Sequence, residues 1–149
     1  MPTNTSELGD FDQRIEVLII PVSDVDRSRD FYVRLGWRLD VTPPGVVQIT
    51  PPGSATSVQF GPEGFTPAAP GSATAYLVVA DIVTAREALI AAGVEVTDYF
   101  HRTTEGFTPG LDPARTTYST RATFPTPTTT PGSSKKSPPA SPAASNLQA

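Results

Sequence analysis

Arg14–Gly36 reads RIEVLIIPVSDVDRSRDFYVRLG, and the rest of the chain is organised around it. An apolar run (Ile15 to Val22) meets Ser23-Asp24. Val25, Ser28, Phe31, Tyr32 and Leu35 then fall at helical spacing before Gly36. A run apolar on both faces predicts a strand inside a sheet covered on both sides. Ser23 or Asp24 can accept the free amide hydrogens of a first helical turn. Gly36 permits the left-handed residue that ends a helix. The plan returns from Thr74 as TAYLVVADIVTAREALIAAGV, where Asp81 and Gly93 follow Asp24 and Gly36 at the same offset of 57 residues. Its buried stripe is Ile82, Ala85, Ala88, Leu89 and Ala92. Two copies of one strand–helix unit predict a duplicated fold.

The segments between the copies complete each unit. Trp37, Leu39 and Val41 alternate with Arg38 and Asp40, the pattern of a strand with one wet face. VVQIT (46–50) and Thr56–Phe60 are further strands, giving a first module over 14–60. GPEGFTPAAPGSA (61–73), with three prolines and three glycines, reads as a linker. The second module, 74–123, opens on a strand over Ala75–Ala80. After its helix come Val94, Val96 and Tyr99 to His101 as a strand, a long loop over 105–114, and a strand over Thr116–Thr123. Residues 1–13 read as a flexible arm. By analogy a final strand should follow residue 123. FPTPTTTPGSSKKSPPASPAASNLQA (124–149) has only Phe124 and Leu147 as large apolar residues and is full of prolines, which cannot donate to a sheet. It reads as a disordered tail, with the last strand of the second module missing.

Composition narrows the function classes. The 149 residues carry 17 prolines and a net charge of −4. The only charged residues beyond 123 are Lys135 and Lys136, so residues 1–123 are more acidic still, at −6. An acidic chain without a basic stripe argues against nucleic acid and anionic membranes as partners. No cysteine is present, which excludes thiol chemistry, disulfides and thiolate metal sites. Apolar runs such as VLII are far short of the roughly 20 residues a membrane span needs, and the N-terminal MPTNTSELGDFDQR lacks the pattern of a secretion signal. A cytoplasmic protein is the expectation.

Strand, Ser-Asp cap, helix and glycine stop, repeated twice with further strands after each helix, resemble the vicinal oxygen chelate superfamily. That superfamily includes glyoxalase I, bleomycin-resistance proteins and extradiol dioxygenases. The likeness rests on VLIIPVSDVDRSRDFYVRLGWRLD and AYLVVADIVTAREALIAAGVEV and covers about residues 14–123. It implies an α+β fold of paired βαβββ modules whose strands curve around a shared cavity, often in a homodimer. Metal-bearing members place ligands on the first and last strands of each module. Carried onto this chain, those positions fall on Val17, on Thr74 and near Gln59, with the fourth on the missing strand. Divalent metals recruit imidazole and carboxylate, so a metal centre is not expected.

The tail admits a second reading through the genetic code. Relatives follow such a module with Asp-Pro-Asp-Gly-Asn and an apolar strand ending in Gln-Glu. Shifting the frame from Phe124 onward lets synonymous codons spell Ser-Asp-Pro-Asp-Asp-Asn-Thr-Trp-Phe-Leu-Gln-Glu-Val-Thr-Thr-Arg-Leu-Pro-Gly-Arg. The resemblance therefore carries the hypothesis that residues from about 124 onward are translated out of frame.

Three residues are candidate ligand contacts. Gln59 either points into the cavity and orients a polar ligand or faces outward from its strand. His101, the only histidine, follows an apolar strand; it is either a cavity base or a hydrogen-bonded structural residue. Trp37 lines a ligand pocket or belongs to the core. The function implied is a bleomycin-resistance-like protein that binds a small organic molecule without metal or other cofactor. The alternative is a divalent-metal-dependent glyoxalase- or dioxygenase-like enzyme.

Overall fold

The computed structural model describes residues 12–127 and 144–148. Asp24 lies in extended backbone (φ −140°, ψ 104°), and its carboxylate accepts the Arg27 amide at 3.0 Å. One of the donors that a helix start leaves without an intrahelical partner is thereby satisfied. Helix α1 (Val25–Arg34) follows. Asp81 repeats the geometry (φ −133°, ψ 106°) and starts α2 (Ile82–Ala91). Each helix ends on a glycine at positive φ, Gly36 at 87° and Gly93 at 85°. Beyond them Trp37 N–H bonds back to the Tyr32 carbonyl and Val94 N–H to the Leu89 carbonyl, closing the same six-residue turn twice.

The strands repeat the duplication. The first sheet contains β1 (Val17–Ile19), β2 (Arg38–Leu39), β3 (Val47–Thr50) and β4 (Ser57–Phe60) in the order β1-β4-β3-β2. The second contains β5 (Ala75–Val78), β6 (Phe100–Thr103), β7 (Gly106–Pro109), β8 (Thr120–Pro125) and β9 (Ala144–Gln148) in the order β5-β9-β8-β6-β7. In both, the strand before the helix pairs parallel with the last strand, and the last strand pairs antiparallel with its other neighbour. The second sheet is the first one repeated, with β7 added at its outer edge. An α+β fold of paired modules is what the sequence pattern predicts.

Four expectations need correction. The last strand of the second module is not missing: Ala144–Gln148 takes the place that β4 holds in the first, aligned with Ala75–Val78 on one side and Arg121–Pro125 on the other. Sheet pairing uses backbone groups, which the flanking strands offer to any proline-free segment able to reach them. The Ala-Ser-Asn-Leu-Gln sequence has no proline, although the stretch before it is rich in them. The expected loop at 105–114 holds β7, folded against β6 through a tight turn that needs Gly106 at φ 110°. The next strand runs Thr120–Pro125, so it extends past residue 123. Finally, β1 is an edge strand among the described residues, and Ile15, Leu18 and Ile19 are exposed. Most of the flexible arm expected over 1–13 and most of the expected tail lie outside the described residues.

One apolar cluster joins the modules. Tyr32 meets Trp37 at 4.7 Å between ring centroids and Phe31 edge-on at 5.1 Å, above Val47, Ile49 and Phe60. Ile82, Val94, Ala122 and Phe124 continue the cluster in the second module. Buried Ser28 ties the two by donating to the Pro127 carbonyl.

Candidate functional site

Strand alternation sorts each sheet into two faces, and directly opposed residues share a face. In the first sheet Val47, Ile49, Val58 and Phe60 lie together under α1. Val17, Ile19, Gln48, Thr50, Ser57 and Gln59 lie on the other, helix-free face. That face carries a polar ladder. Asp40 accepts from Arg38, from Thr50 Oγ1 at 2.7 Å and from Gln48 Nε2 at 3.1 Å. Thr50 Oγ1 has one hydrogen, given to Asp40, so Ser57 Oγ donates to Thr50 across 2.6 Å. Gln59 Nε2 donates to Gln48 Oε1 at 3.2 Å. The Arg38 hydrogen bond, then those of Thr50 and Gln48, hold the Asp40 carboxyl down to about 2, which keeps it ionised.

The second sheet has a different helix-free face. Its packed face buries His101, Thr120, Ala122 and Phe124. The helix-free face presents Tyr76, Val78, Arg121, Phe100, Arg102 and Phe107. The Arg121 guanidinium carbon lies 5.4 Å from the ring centroids of both Tyr76 and Phe107. Phe107 meets Phe100 edge-on at 5.4 Å. Tyr76 and Phe107 remain more than half exposed. Arg121 Nε is buried and has no hydrogen-bond partner among the described residues.

The structure separates the three residues predicted from sequence. Gln59 sits on the helix-free face of the first sheet, within its polar ladder. Trp37 is buried against Tyr32, and its edge lines an apolar cleft of about 350 Å³ shared with Leu77, Ala85 and Leu89 of the second module. His101 lies on the packed face, 9% exposed, with Nδ1 2.8 Å from the Gly110 carbonyl. That carbonyl can only accept, so Nδ1 carries the proton. Sequence reading missed Tyr76, Arg121 and Phe107. Alternation in Thr-Arg-Ala-Thr-Phe marks Arg121 as opposite in face to Ala122, but only the register shows which aromatics it meets. A larger cleft of about 970 Å³ runs between α1 and residues 125–127, walled by Asp26, Asp30, Arg34 and Glu95.

Val17 and Gln59, the positions to which the resemblance carries metal ligands, share a face. A hydrocarbon and a neutral amide do not fit a divalent ion. Among the described residues no three His, Cys, Asp or Glu side chains are grouped as metal ligands. The donor set present therefore does not fit the metal of the metal-bearing relatives.

Paired βαβββ modules, each with one helix-packed and one free sheet face, define a two-module α+β protein of the vicinal oxygen chelate type. The chain belongs to the Glyoxalase/Bleomycin resistance protein/Dioxygenase superfamily, whose family model matches residues 14–130. Solved structures share the fold. TnmS3, an antibiotic binding protein from Streptomyces sp. CB03234, matches with a TM-score of 0.65 at 23% identity over 94% of this chain and 98% of that one. A glyoxalase/bleomycin resistance protein from the same organism gives 0.61 at 24% identity, over 91% of this chain and 100% of that one. A superfamily member from Sphaerobacter thermophilus DSM 20745 gives 0.62 at 23% identity, over 92% and 97%. No curated protein matches the chain.

Proposed function

We propose that this chain binds a small organic molecule on the helix-free faces of its sheets, without a divalent metal, in the manner of the bleomycin-resistance branch. One observation carries the reading: the free face that would hold metal ligands presents Val17 and Gln59 instead of imidazole and carboxylate. An antibiotic-binding protein with this fold supports it. In this reading Gln59 orients a polar group of the ligand. Trp37 borders the cleft between modules, and the His101 ring braces the loop at Gly110. The decisive experiment is metal analysis of the purified protein alongside calorimetric binding of small-molecule ligands. Ligand binding that survives chelation is expected. Stoichiometric Fe, Mn, Ni or Zn, with binding lost on chelation, would favour the glyoxalase- or dioxygenase-like enzyme.

The partner surface belongs to the same proposal. Among the described residues β1 and β5 each pair along one edge only, and Ile15 (65% exposed), Leu18 and Ile19 lie on or beside β1. Unpaired edges beside apolar side chains invite pairing with another chain. We infer a homodimer, checked by analytical ultracentrifugation. No described helix is long and apolar enough to cross a membrane, and a cytoplasmic location completes the reading.

A further inference from the structure

The helix-free face of the second sheet combines features found nowhere else among the described residues. Phe100 stands opposite Arg121 in the ladder, and Arg102 stands opposite Phe107. Two arginines and three aromatic rings, with Tyr76 the third, are thus set on one face. Its described residues include no Asp or Glu, although the whole chain is acidic at −4. Every described salt bridge uses Arg14, Arg29, Arg38 or Arg86, and none uses Arg102 or Arg121.

Its chemistry is selective. A guanidinium stacked on aromatic faces is weakly hydrated and keeps its N–H edge for planar, two-oxygen acceptors. The buried Arg121 Nε lacks a partner, and a buried donor left unmade costs more than a made bond returns. An incoming anionic oxygen, directly or through a water, can supply the missing acceptor. Beside it Phe107, 56% exposed, and Tyr76, 52% exposed, offer ring faces to a flat apolar body.

We propose that this face binds a planar aromatic anion, an aromatic carboxylate or phenolate, with Arg121 contacting the anionic group and Phe107 and Tyr76 contacting the ring system. The inference rests on the small-molecule reading above and names the ligand class. Arg102 adds positive potential at the outer end of the face and steers the anion inward.

The test is isothermal titration calorimetry of the full-length protein with 2-naphthoate, neutral 2-naphthamide and non-aromatic cyclohexanecarboxylate. Naphthoate should bind about tenfold or more tightly than either of the others, since charge-assisted and stacking contacts act together. Arg121→Gln should erase the preference for naphthoate over naphthamide, and Arg121→Lys should restore only part of it. Phe107→Leu leaves the charge in place and should weaken naphthoate several-fold, which keeps the test valid should Arg121→Gln fail to fold. Arg29→Gln, on the outer surface of α1, should change nothing. Equal affinity for naphthoate and naphthamide, no binding of naphthoate, or binding insensitive to both Arg121→Gln and Phe107→Leu would overturn the inference. Binding of neutral ligands alone sinks this inference and leaves the small-molecule reading standing. Stoichiometric metal with chelation-sensitive binding sinks the parent reading itself.

Discussion

Asp24 and Asp81 hold the same station in the two modules: both are extended, and both cap a ten-residue helix. They differ in how many donors they satisfy. Asp24 accepts the Arg27 amide, whereas Asp81 accepts the Val83 and Thr84 amides and the Thr84 hydroxyl. Asp24→Ala should cost about 1 kcal/mol, typical of a lost N-cap. Asp81→Ala should lower the melting temperature further, because more donors lose their acceptor. Thermal unfolding of both variants checks the order, and a larger loss from Asp24→Ala would contradict it.

The place of β9 makes the end of the chain a structural element. β5 has no described strand neighbour other than β9, and β8 gains its second neighbour from it. Ending the chain at Pro127 should therefore free those amides of β5 that face β9 to exchange and loosen the second module before the first. Phe124 is fully buried in the joint core, so Phe124→Ala should cost about 3–5 kcal/mol. Hydrogen exchange on the truncated chain and urea unfolding of the point variant measure the two effects. Unchanged protection of β5 after truncation would show that β9 does not support it.

The out-of-frame reading predicts a concrete result at the DNA level. Resequencing the coding DNA across codons 115–149 should reveal one missing base near codon 124. The restored chain would carry an apolar Trp-Phe-Leu-Gln-Glu strand able to enter the slot between β5 and β8. Burying its Trp and Leu is worth roughly 1.5–3 kcal/mol each, so the restored protein should be markedly more stable. Codons incompatible with the second frame would end the hypothesis and leave β9 as the native strand.

What was legible in the sequence follows from where the information sits. Asp24, Gly36, Asp81 and Gly93 act within one helical turn, so caps and stops showed in local spacing, and the duplicated fold followed from them. Val25, Ser28, Phe31, Tyr32 and Leu35 are all buried or half-buried, as their spacing predicts. Edge and interior strands are not separable this way. The apolar run at Ile15–Ile20 looks equally fit for either, and which neighbours it finds depends on chain geometry far away. β9 escaped for a related reason, since backbone pairing is blind to the composition that marks a tail. The Arg121 cluster joins residues 76, 107 and 121 across three strands, and no single-window pattern brings such residues together.

Two carboxylates give the fold an acid limit. Asp40 is lowered from 3.8 to about 2, first by the Arg38 hydrogen bond and then by Thr50 and Gln48. Asp112 is lowered from 3.8 to about 2 chiefly by the backbone amides of Thr116 and Ala114. Through the second set Asp112 organises the turn in which Arg115 and Tyr118 adopt positive φ, 52° and 61°. In each case the folded chain holds the proton more weakly than the unfolded chain does. Their stabilisation is therefore complete above the ordinary carboxylate range and is lost as pH falls from about 4 toward about 2. Urea midpoints measured through that window should fall for the natural chain. Asp112→Asn cannot ionise, so its deficit relative to the natural chain should shrink over the same interval. A deficit constant from neutral pH to about pH 2.5 would show that the ionised Asp112 contributes nothing, since linkage requires the two curves to converge.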